Sequence, residues 1–177
     1  MRRHGPKFVV RCLCASRSVG VLALGAGQRV PCRVGRHGQR VFKREGDGAS
    51  PIGSWYPVEV LYRRDRMLPP RTHLPLRSIR LADGWCDAPE DRNYNRAVQH
   101  PYPASAERLW RNDGLYDVVV ILNHNTQPRV RRLGSAVFLH MMAADGGPTA
   151  GCLAVKPRDM ALILQRLTAH AQIVFAG

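Results

Sequence analysis

The chain has 177 residues, which is enough for one domain with a full hydrophobic core and too few for two. Lysine and arginine outnumber aspartate and glutamate by 27 to 13, so the net charge is +14. In nucleic-acid-binding segments, basic residues are typically clustered or interleaved with aromatic ones. Here they are spread along the chain and are not interleaved with aromatics. We therefore expect no nucleic acid as a primary partner, and an anionic substrate instead. No apolar run is long enough to cross a bilayer, so no membrane partner is expected.

The cysteine pattern bears on chemistry and on location. The five cysteines are Cys12, Cys14, Cys32, Cys86 and Cys152. An odd number without Cys-x-x-Cys spacing argues against a disulfide framework or a zinc ribbon, and we interpret Cys12 and Cys14 as small residues on the inward face of a strand. This usage favours a reducing compartment. A cytoplasmic location is expected because residues 2–26 make a poor export signal; a periplasmic location is the alternative.

Most of the sequence predicts β-structure. Residues 1–7 are basic and expected to be loose, and β-branched segments then predict strands at 8–14, 20–24, 29–34, 55–62 and 173–175. The apolar run 118–122 predicts a buried central strand. Pro157 and the apolar residues after it predict one helix near the C-terminus. Because strands and helices do not alternate, the pattern excludes a doubly wound α/β fold.

Residues 63–116 form an irregular segment punctuated by proline. Such an insertion within a domain usually builds the wall or lid of a site. Within it, residues 105–111 predict one or two helical turns. The aromatic residues of this segment either wall a groove or fill the core beneath it, and both interpretations stay open for Trp85, Tyr102 and Trp110.

A histidine and a cysteine flank a loop near the C-terminus. The runs 136–140 and 152–155 predict an antiparallel hairpin in which His140 and Cys152 meet at the loop end. An imidazole beside a thiol makes it a nucleophile by stabilising the thiolate. Gly151 allows a sharp turn that presents backbone N–H groups to an oxyanion. The alternative is a structural Cys–His pair in a basic binding module.

Two distant motifs together resemble the L,D-transpeptidase catalytic domain of the YkuD family. The first is Ser-Pro-Ile-Gly-Ser-Trp at 50–55, which is similar to that family's early Thr/Ser-Pro-x-Gly-x-aromatic turn. The second is His140 followed by Thr-Ala-Gly-Cys at 149–152, which is similar to its histidine and Ser/Thr-x-Gly-Cys sequence. The resemblance covers residues from about Phe8 to the C-terminus. It implies a single, mostly β, sandwich-like catalytic domain over residues 1–177, with a proline-rich insertion and one helix.

The resemblance also implies a function. It is that of a cysteine acyl-transferase acting on peptidoglycan stem peptides or muropeptides, with no cofactor or metal. Cys152 would be the nucleophile and His140 its base, oriented by the backbone carbonyl of Met141. The N–H groups of Gly151 and Cys152 would form the oxyanion hole. An amine acceptor gives transpeptidation; water gives an L,D-carboxypeptidase, which the expected cytoplasmic location would suit.

The chain departs from the family at two places. Ala154 stands where the family usually has an arginine, and the loop between the histidine and the cysteine is short. Some cation must therefore take over substrate anchoring, and Lys43 and Arg44 are the candidates because they lie near the early turn. His124, at the exit of the predicted central strand, and Trp85, in the insertion, are the other candidate substrate-binding residues.

A zinc site is the remaining interpretation of these side chains. It would combine His124, His140 and Cys152, but the sequence has no paired ligand spacing and no His-Glu-x-x-His motif. No metal is therefore expected.

Overall fold

The structure is a computed structural model that describes residues 5–13 and 15–177. The strands are β1 (Lys7–Leu13), β2 (Ser16–Gly25), β3 (Gln28–Arg33), β4 (Gln39–Arg40), β5 (Ser50–Pro51), β6 (Gly53–Trp55), β7 (Pro57–Tyr62), β8 (Leu76–Ser78), β9 (Asp83–Cys86), β10 (Ala97–Gln99), β11 (Ala106–Arg108), β12 (Val118–Leu122), β13 (Phe138–Met141), β14 (Leu153–Val155) and β15 (Gln172–Ala176). A helix, α1 (Pro157–Leu164), lies between β14 and β15. The predicted fold class, mostly β with one helix near the C-terminus, is confirmed. Within the described residues no helix could span a membrane.

Ten of the strands form one mixed sheet, in the order β6-β15-β1-β2-β3-β14-β13-β12-β7-β8. Antiparallel pairs join β1 to β2 and β2 to β3, as the turn-rich N-terminal sequence predicts. β1 begins at Lys7 and runs parallel to β15. A second sheet, with the order β10-β9-β11, is built from the proline-rich insertion.

Burial on both faces explains the apolar run of β12. Its even-numbered residues pack in a cluster that contains Met160 and Ile163 of α1. Its odd-numbered residues, Val119 and Ile121, pack in a second cluster with Trp85 of the insertion. Because successive side chains of a strand point to opposite faces, β12 is covered by α1 on one side and by the insertion on the other. This layering makes the domain sandwich-like.

The predicted antiparallel hairpin between His140 and Cys152 is wrong, because β13 and β14 are parallel. In a parallel pair the chain must return along the full length of the first strand, here four residues or about 13 Å, and the segment 142–152 is long enough to do so. The register pairs His140 with Ala154. Cys152 comes two residues before Ala154, so its side chain and that of His140 lie on the same face of the sheet.

The helical turns predicted for residues 105–111 are also absent. β11 lies there instead, antiparallel to β9, with Glu107 opposite Trp85. A three-residue strand has too little sequence pattern to be recognised, and pairing with β9 outweighs its local helix propensity. Of the two cysteines assigned to an inward face, Cys12 is partly buried against the core, whereas Cys14 lies outside the described residues.

Candidate active site

A cavity of about 580 Å³ lies between the large sheet and the insertion. Both Cys152 and His140 line it. Its other walls come from the turns after β3 and β4, from the loop before Cys152, and from the insertion, which contributes Glu107, Arg111 and Tyr116. The parallel β13–β14 pair thus brings the two chemically active side chains to one concave surface.

The imidazole of His140 is held in one orientation. Its Nδ1 lies 2.6 Å from the carbonyl oxygen of Met141, and because a carbonyl can only accept, Nδ1 carries the hydrogen. The ring of Tyr116 packs edge-on against it, with centroids 5.3 Å apart. Burial lowers the pKa of His140 to about 4 by penalising the imidazolium. At neutral pH the ring is therefore neutral, with Nε2 unprotonated and able to accept a proton.

The thiol of Cys152 is protonated in the resting state. Burial raises its pKa to about 12, and the charge of Glu107 adds to the effect. The S–H donates to the carbonyl of Ala136 at 3.1 Å, and Sγ accepts from the N–H of Phe138 at 3.4 Å. The resting pair is thus a neutral thiol and a neutral imidazole, which differs from the imidazole-stabilised thiolate expected from sequence.

The backbone beside the thiol is fixed by the early Ser-Pro turn. The hydroxyl of Ser50 donates to the carbonyl of Gly151 at 2.7 Å and accepts from the N–H of Gly35 at 3.0 Å. Gly151 has φ +148°, and a Cβ there would lie 2.9 Å from the carbonyl oxygen of Ala49. Only glycine fits this position, as the sequence predicts.

The same anchor orients a backbone N–H group. The carbonyl of Gly151 and the N–H of Cys152 belong to one planar trans peptide and point in opposite directions. Since Ser50 holds the carbonyl, the N–H of Cys152 is turned away from Ser50. No acceptor for it is found among the loop and side-chain hydrogen bonds of residues 5–13 and 15–177. The N–H of Gly151, by contrast, already donates to the hydroxyl of Thr149 at 3.1 Å.

The comparison with family models agrees with this geometry. The model of the YkuD L,D-transpeptidase catalytic domain matches residues 21–174, nearly the whole chain. The chain belongs to the YkuD family. Membership supports an L,D-transpeptidase-type transferase activity on peptidoglycan. Searches of the curated proteins and of the solved structures give no match.

Of the two candidate cations, the structure brings Lys43 to the YkuD cavity and leaves Arg44 outside it. Lys43 is buried, and its ammonium donates to Asp47 and to the carbonyl of Arg44, both at 2.6 Å. Its Cε lies 3.6 Å from the Cβ position built on Gly151. These contacts use two of its three N–H bonds, so Lys43 supports the turn that packs against Gly151. The exposed Arg44 lines a neighbouring depression instead.

The other two candidates, His124 and Trp85, do not line the cavity. His124 is buried beside Trp55, with ring centroids 4.5 Å apart, and its Nε2 lies 3.0 Å from the carbonyl oxygen of Leu133. Trp85 packs edge-on against Phe138 in the core. Both side chains are buried away from the cavity. His124 is therefore not grouped with His140, and the part of the chain that the structure describes holds no group of three potential metal ligands.

An arginine does lie beside the position where the YkuD family usually carries one. Ala154 pairs with Arg33 of the neighbouring strand β3, so the two side chains share the face that carries Cys152. The Nε–H of Arg33 donates to the carbonyl of Gly146 at 2.6 Å, in the loop that leads to the cysteine. The sequence alone does not show that Arg33 and Ala154 are adjacent, because this requires knowing that β3 and β14 are neighbours.

The insertion walls the cavity, as its sequence predicts, but the sequence analysis did not identify which of its residues do so. Tyr116 donates to Glu107 Oε1 at 2.6 Å, and the guanidinium of Arg111 lies over the Tyr116 ring at 5.1 Å from its centroid. Tyr116 could have been found, since it lies two residues before the central strand β12, whose Val119 pairs with His140. Glu107 had no such signal, because it lies in a three-residue strand.

Proposed function

We propose that this YkuD domain is a cysteine acyl-transferase that forms a thioester with peptidoglycan tetrapeptide stems and passes the acyl group to an amine. The observation that carries this proposal is the geometry of one cavity. It holds the thiol of Cys152 behind a glycine turn and the neutral imidazole of His140, with Nδ1–H bonded to Met141 so that Nε2 is the basic nitrogen.

The first step is attack of Sγ on the peptide carbonyl. Because burial raises the pKa of Cys152 and lowers that of His140, formation of a separate thiolate–imidazolium pair before attack is uphill. The S–H proton therefore moves to Nε2 of His140 as the C–S bond forms. The hydrogen bond from Nδ1 to the Met141 carbonyl then stabilises the imidazolium.

The second step is collapse of the tetrahedral intermediate. Its oxyanion accepts from the N–H of Cys152, which Ser50 orients through the Gly151 carbonyl. The C–N bond breaks and His140 Nε2–H protonates the leaving amine, so the thioester remains on Cys152. An acceptor amine then attacks the thioester, its proton passes to His140, and the thiolate leaves and is reprotonated.

The experiment uses disaccharide-tetrapeptide with and without an excess of a D-amino acid, and product masses are read. Exchanged tetrapeptide or a cross-linked dimer supports the transferase; tripeptide alone in both tubes identifies an L,D-carboxypeptidase. The variant Cys152→Ala should be inactive. The control Cys12→Ala should be active, because Cys12 lies on β1 and does not line the cavity. No product and no thioester mass on the wild type would overturn the proposal.

A further inference from the structure

A second depression, of about 450 Å³, lies beside the active-site cavity. Its walls come from the end of β1, the start of β2, the end of β15 and residues 37–40. His37 lines both this depression and the active-site cavity, so the two concave surfaces are neighbours. The imidazole of His37 is held at their border, because its Nδ1 lies 2.7 Å from the carbonyl oxygen of Asp47.

The depression lies on the sheet face that carries the nucleophile. The register of β1, β2, β3 and β14 places Arg11, which lines the depression, on the same face as Arg33 and Ala154. This follows because paired residues, and residues two apart along a strand, share a face. Cys152, two residues before Ala154, is on that face as well. The active-site cavity and the depression therefore form two parts of one surface.

The turn after β3 contacts both parts. On one side, the N–H of Arg36 donates to the carbonyl of Thr149 at 2.9 Å, in the loop that leads to the cysteine. On the other side, Gly38 packs against Arg17, whose Cβ lies 3.2 Å from the Cβ position built on Gly38. A molecule bound in the depression would therefore contact the same turn that supports the active-site loop.

The charged side chains that line the depression have one sign. They are Arg11, Arg17 and Arg40, and no aspartate or glutamate lines it. The active-site cavity and the depression around Arg44 differ, because both include carboxylates. A concave surface lined by charges of one sign concentrates the field and attracts the opposite ion. We call this surface the basic depression.

The three guanidinium groups of the basic depression have no internal counter-charge. None takes part in an ion pair within residues 5–13 and 15–177, whereas the exposed Arg131 and Arg132 do pair, with Glu90. The rest of the chain, residues 1–4 and 14, contains no aspartate or glutamate. Gln39 also lines the basic depression, and both polar atoms of its amide are buried without a hydrogen-bond partner. The surface thus gathers donors that no acceptor of the described chain satisfies.

We propose that the basic depression binds a phosphate group. A phosphate presents oxygens in several directions and can accept from all three guanidinium groups, whereas a carboxylate has two oxygens in one plane, which a single guanidinium can serve. A nucleic-acid strand fits less well, because it is held along an extended basic groove with aromatic side chains for its bases to stack on. The walls of the basic depression contain no Phe, Tyr or Trp.

The phosphate has two possible sources. It belongs either to the substrate, as a stem peptide carried on a phosphorylated sugar that extends past His37, or to a separate molecule that binds beside the substrate. Only the first source rests on the proposed function. The phosphate site itself is independent of it.

The first arm of the test is calorimetric titration of the full chain with inorganic diphosphate. The ionic strength is fixed at about 0.15 M, so that attraction by distant charges is screened. The wild type should show one site. Arg11→Gln, Arg17→Gln and Arg40→Gln should each raise Kd by about tenfold, the lower end for a hydrogen bond between charged groups, at unchanged Tm.

Arg29→Gln is the matched control for these variants. Arg29 is exposed and lies on the same sheet face, two residues before Pro31 of β3, but it does not line the basic depression. Its substitution removes the same charge and should leave Kd unchanged. Equal Kd values for the wild type and all four variants would show only general attraction to a basic protein, and would overturn the proposal. The absence of any diphosphate binding to the wild type would also overturn it.

The second arm identifies the source by steady-state kinetics with a stem peptide on a sugar that does or does not carry a phosphate ester. If the phosphate belongs to the substrate, the ester should lower KM without changing kcat, and Arg17→Gln should abolish this advantage. If it belongs to a separate molecule, the two substrates should have equal KM although diphosphate binds. Absence of turnover with both substrates would count against the proposed function alone, because the titration needs no activity.

Discussion

The hydroxyl of Ser50 donates to the carbonyl of Gly151 at 2.7 Å, joining two residues that are 101 positions apart in the chain. This single bond connects the early Ser-Pro turn to the peptide that carries the N–H of Cys152. Both ends are buried, so water cannot replace either partner. The two motifs that identify the family are therefore parts of one hydrogen-bonded unit.

The first prediction concerns this bond. Ser50→Ala removes the donor, frees the Gly151–Cys152 peptide to rotate, and leaves the Gly151 carbonyl and Gly35 N–H unpaired. We expect kcat to fall by about 10- to 100-fold and stability by about 1–3 kcal/mol. The iodoacetamide rate of Cys152, which needs no oxyanion stabilisation, should change much less.

Two further variants make the result specific. Ser50→Thr keeps the hydroxyl and should restore most of kcat, whereas the exposed Ser54 of the same turn should tolerate Ser54→Ala without loss. Equal losses of kcat and alkylation rate in Ser50→Ala would mean that the bond only maintains the fold.

How far the sequence predicts this protein depends on how local each signal is. The continuous apolar run of β12 and the apolar face formed by the residues after Pro157 are both local signals, so the strand and α1 are predicted correctly. The direction of β14 is not determined by local sequence, because the segment 142–152 is long enough for either a parallel or an antiparallel return. Its parallel course is set by pairing with β13 and β3.

The same distinction separates the site residues. The motif spacing predicts that Cys152, His140 and Gly151 come together, and all three line one cavity. The place of Glu107 in the cavity wall depends on the pairing of β9 with β11, which three- and four-residue strands do not reveal. His124 is a candidate because it follows the central strand and Trp85 because it lies in the insertion, but both side chains are buried away from the cavity.

The second prediction concerns the protonation state of the thiol. With its pKa raised to about 12 by burial, Cys152 should react slowly with iodoacetamide at neutral pH, and the rate should rise by about tenfold per pH unit from pH 7 to 10. Quantifying labelled Cys152 by mass at each pH gives the profile. A plateau near the ordinary thiol pKa of about 8.5 would show that the thiol is not buried as described.

The third prediction concerns the stability of the fold below pH 6.5. Because burial lowers the pKa of His140 from 6.5 to about 4, the unfolded state binds the proton first as pH falls. His140 therefore contributes no pH dependence above 6.5, and stability falls by about 3 kcal/mol between pH 6.5 and 4.

The control for this effect is His140→Gln, which cannot titrate. Denaturant unfolding of the wild type and the variant is measured from pH 7 to 4. As the pH falls, the free energy of unfolding of the wild type should decrease relative to that of the variant. His124, whose pKa is also lowered by burial, is present in both proteins and cancels in the comparison. Parallel curves for the two proteins would contradict the buried, neutral state of His140.

The last prediction concerns Arg33, which lies opposite Ala154 on the neighbouring strand. Arg33 lies opposite Ala154 and bonds to Gly146 at 2.6 Å, so it both supports the loop before Cys152 and occupies the side of the site where the family usually has its cation. Arg33→Ala should raise KM for the stem peptide more than it lowers kcat, because the loop loses its anchor while the thiol and imidazole keep theirs. Adding Ala154→Arg to this variant should recover part of the loss, since Ala154 lines the cavity and removal of the neighbouring Arg33 side chain leaves room for the new one. The single variant Ala154→Arg should instead be impaired, because two guanidinium groups on adjacent strands repel each other and crowd a buried position. Steady-state kinetics of the three variants and the wild type form a double-mutant cycle. Purely additive losses would show that the two positions do not exchange roles.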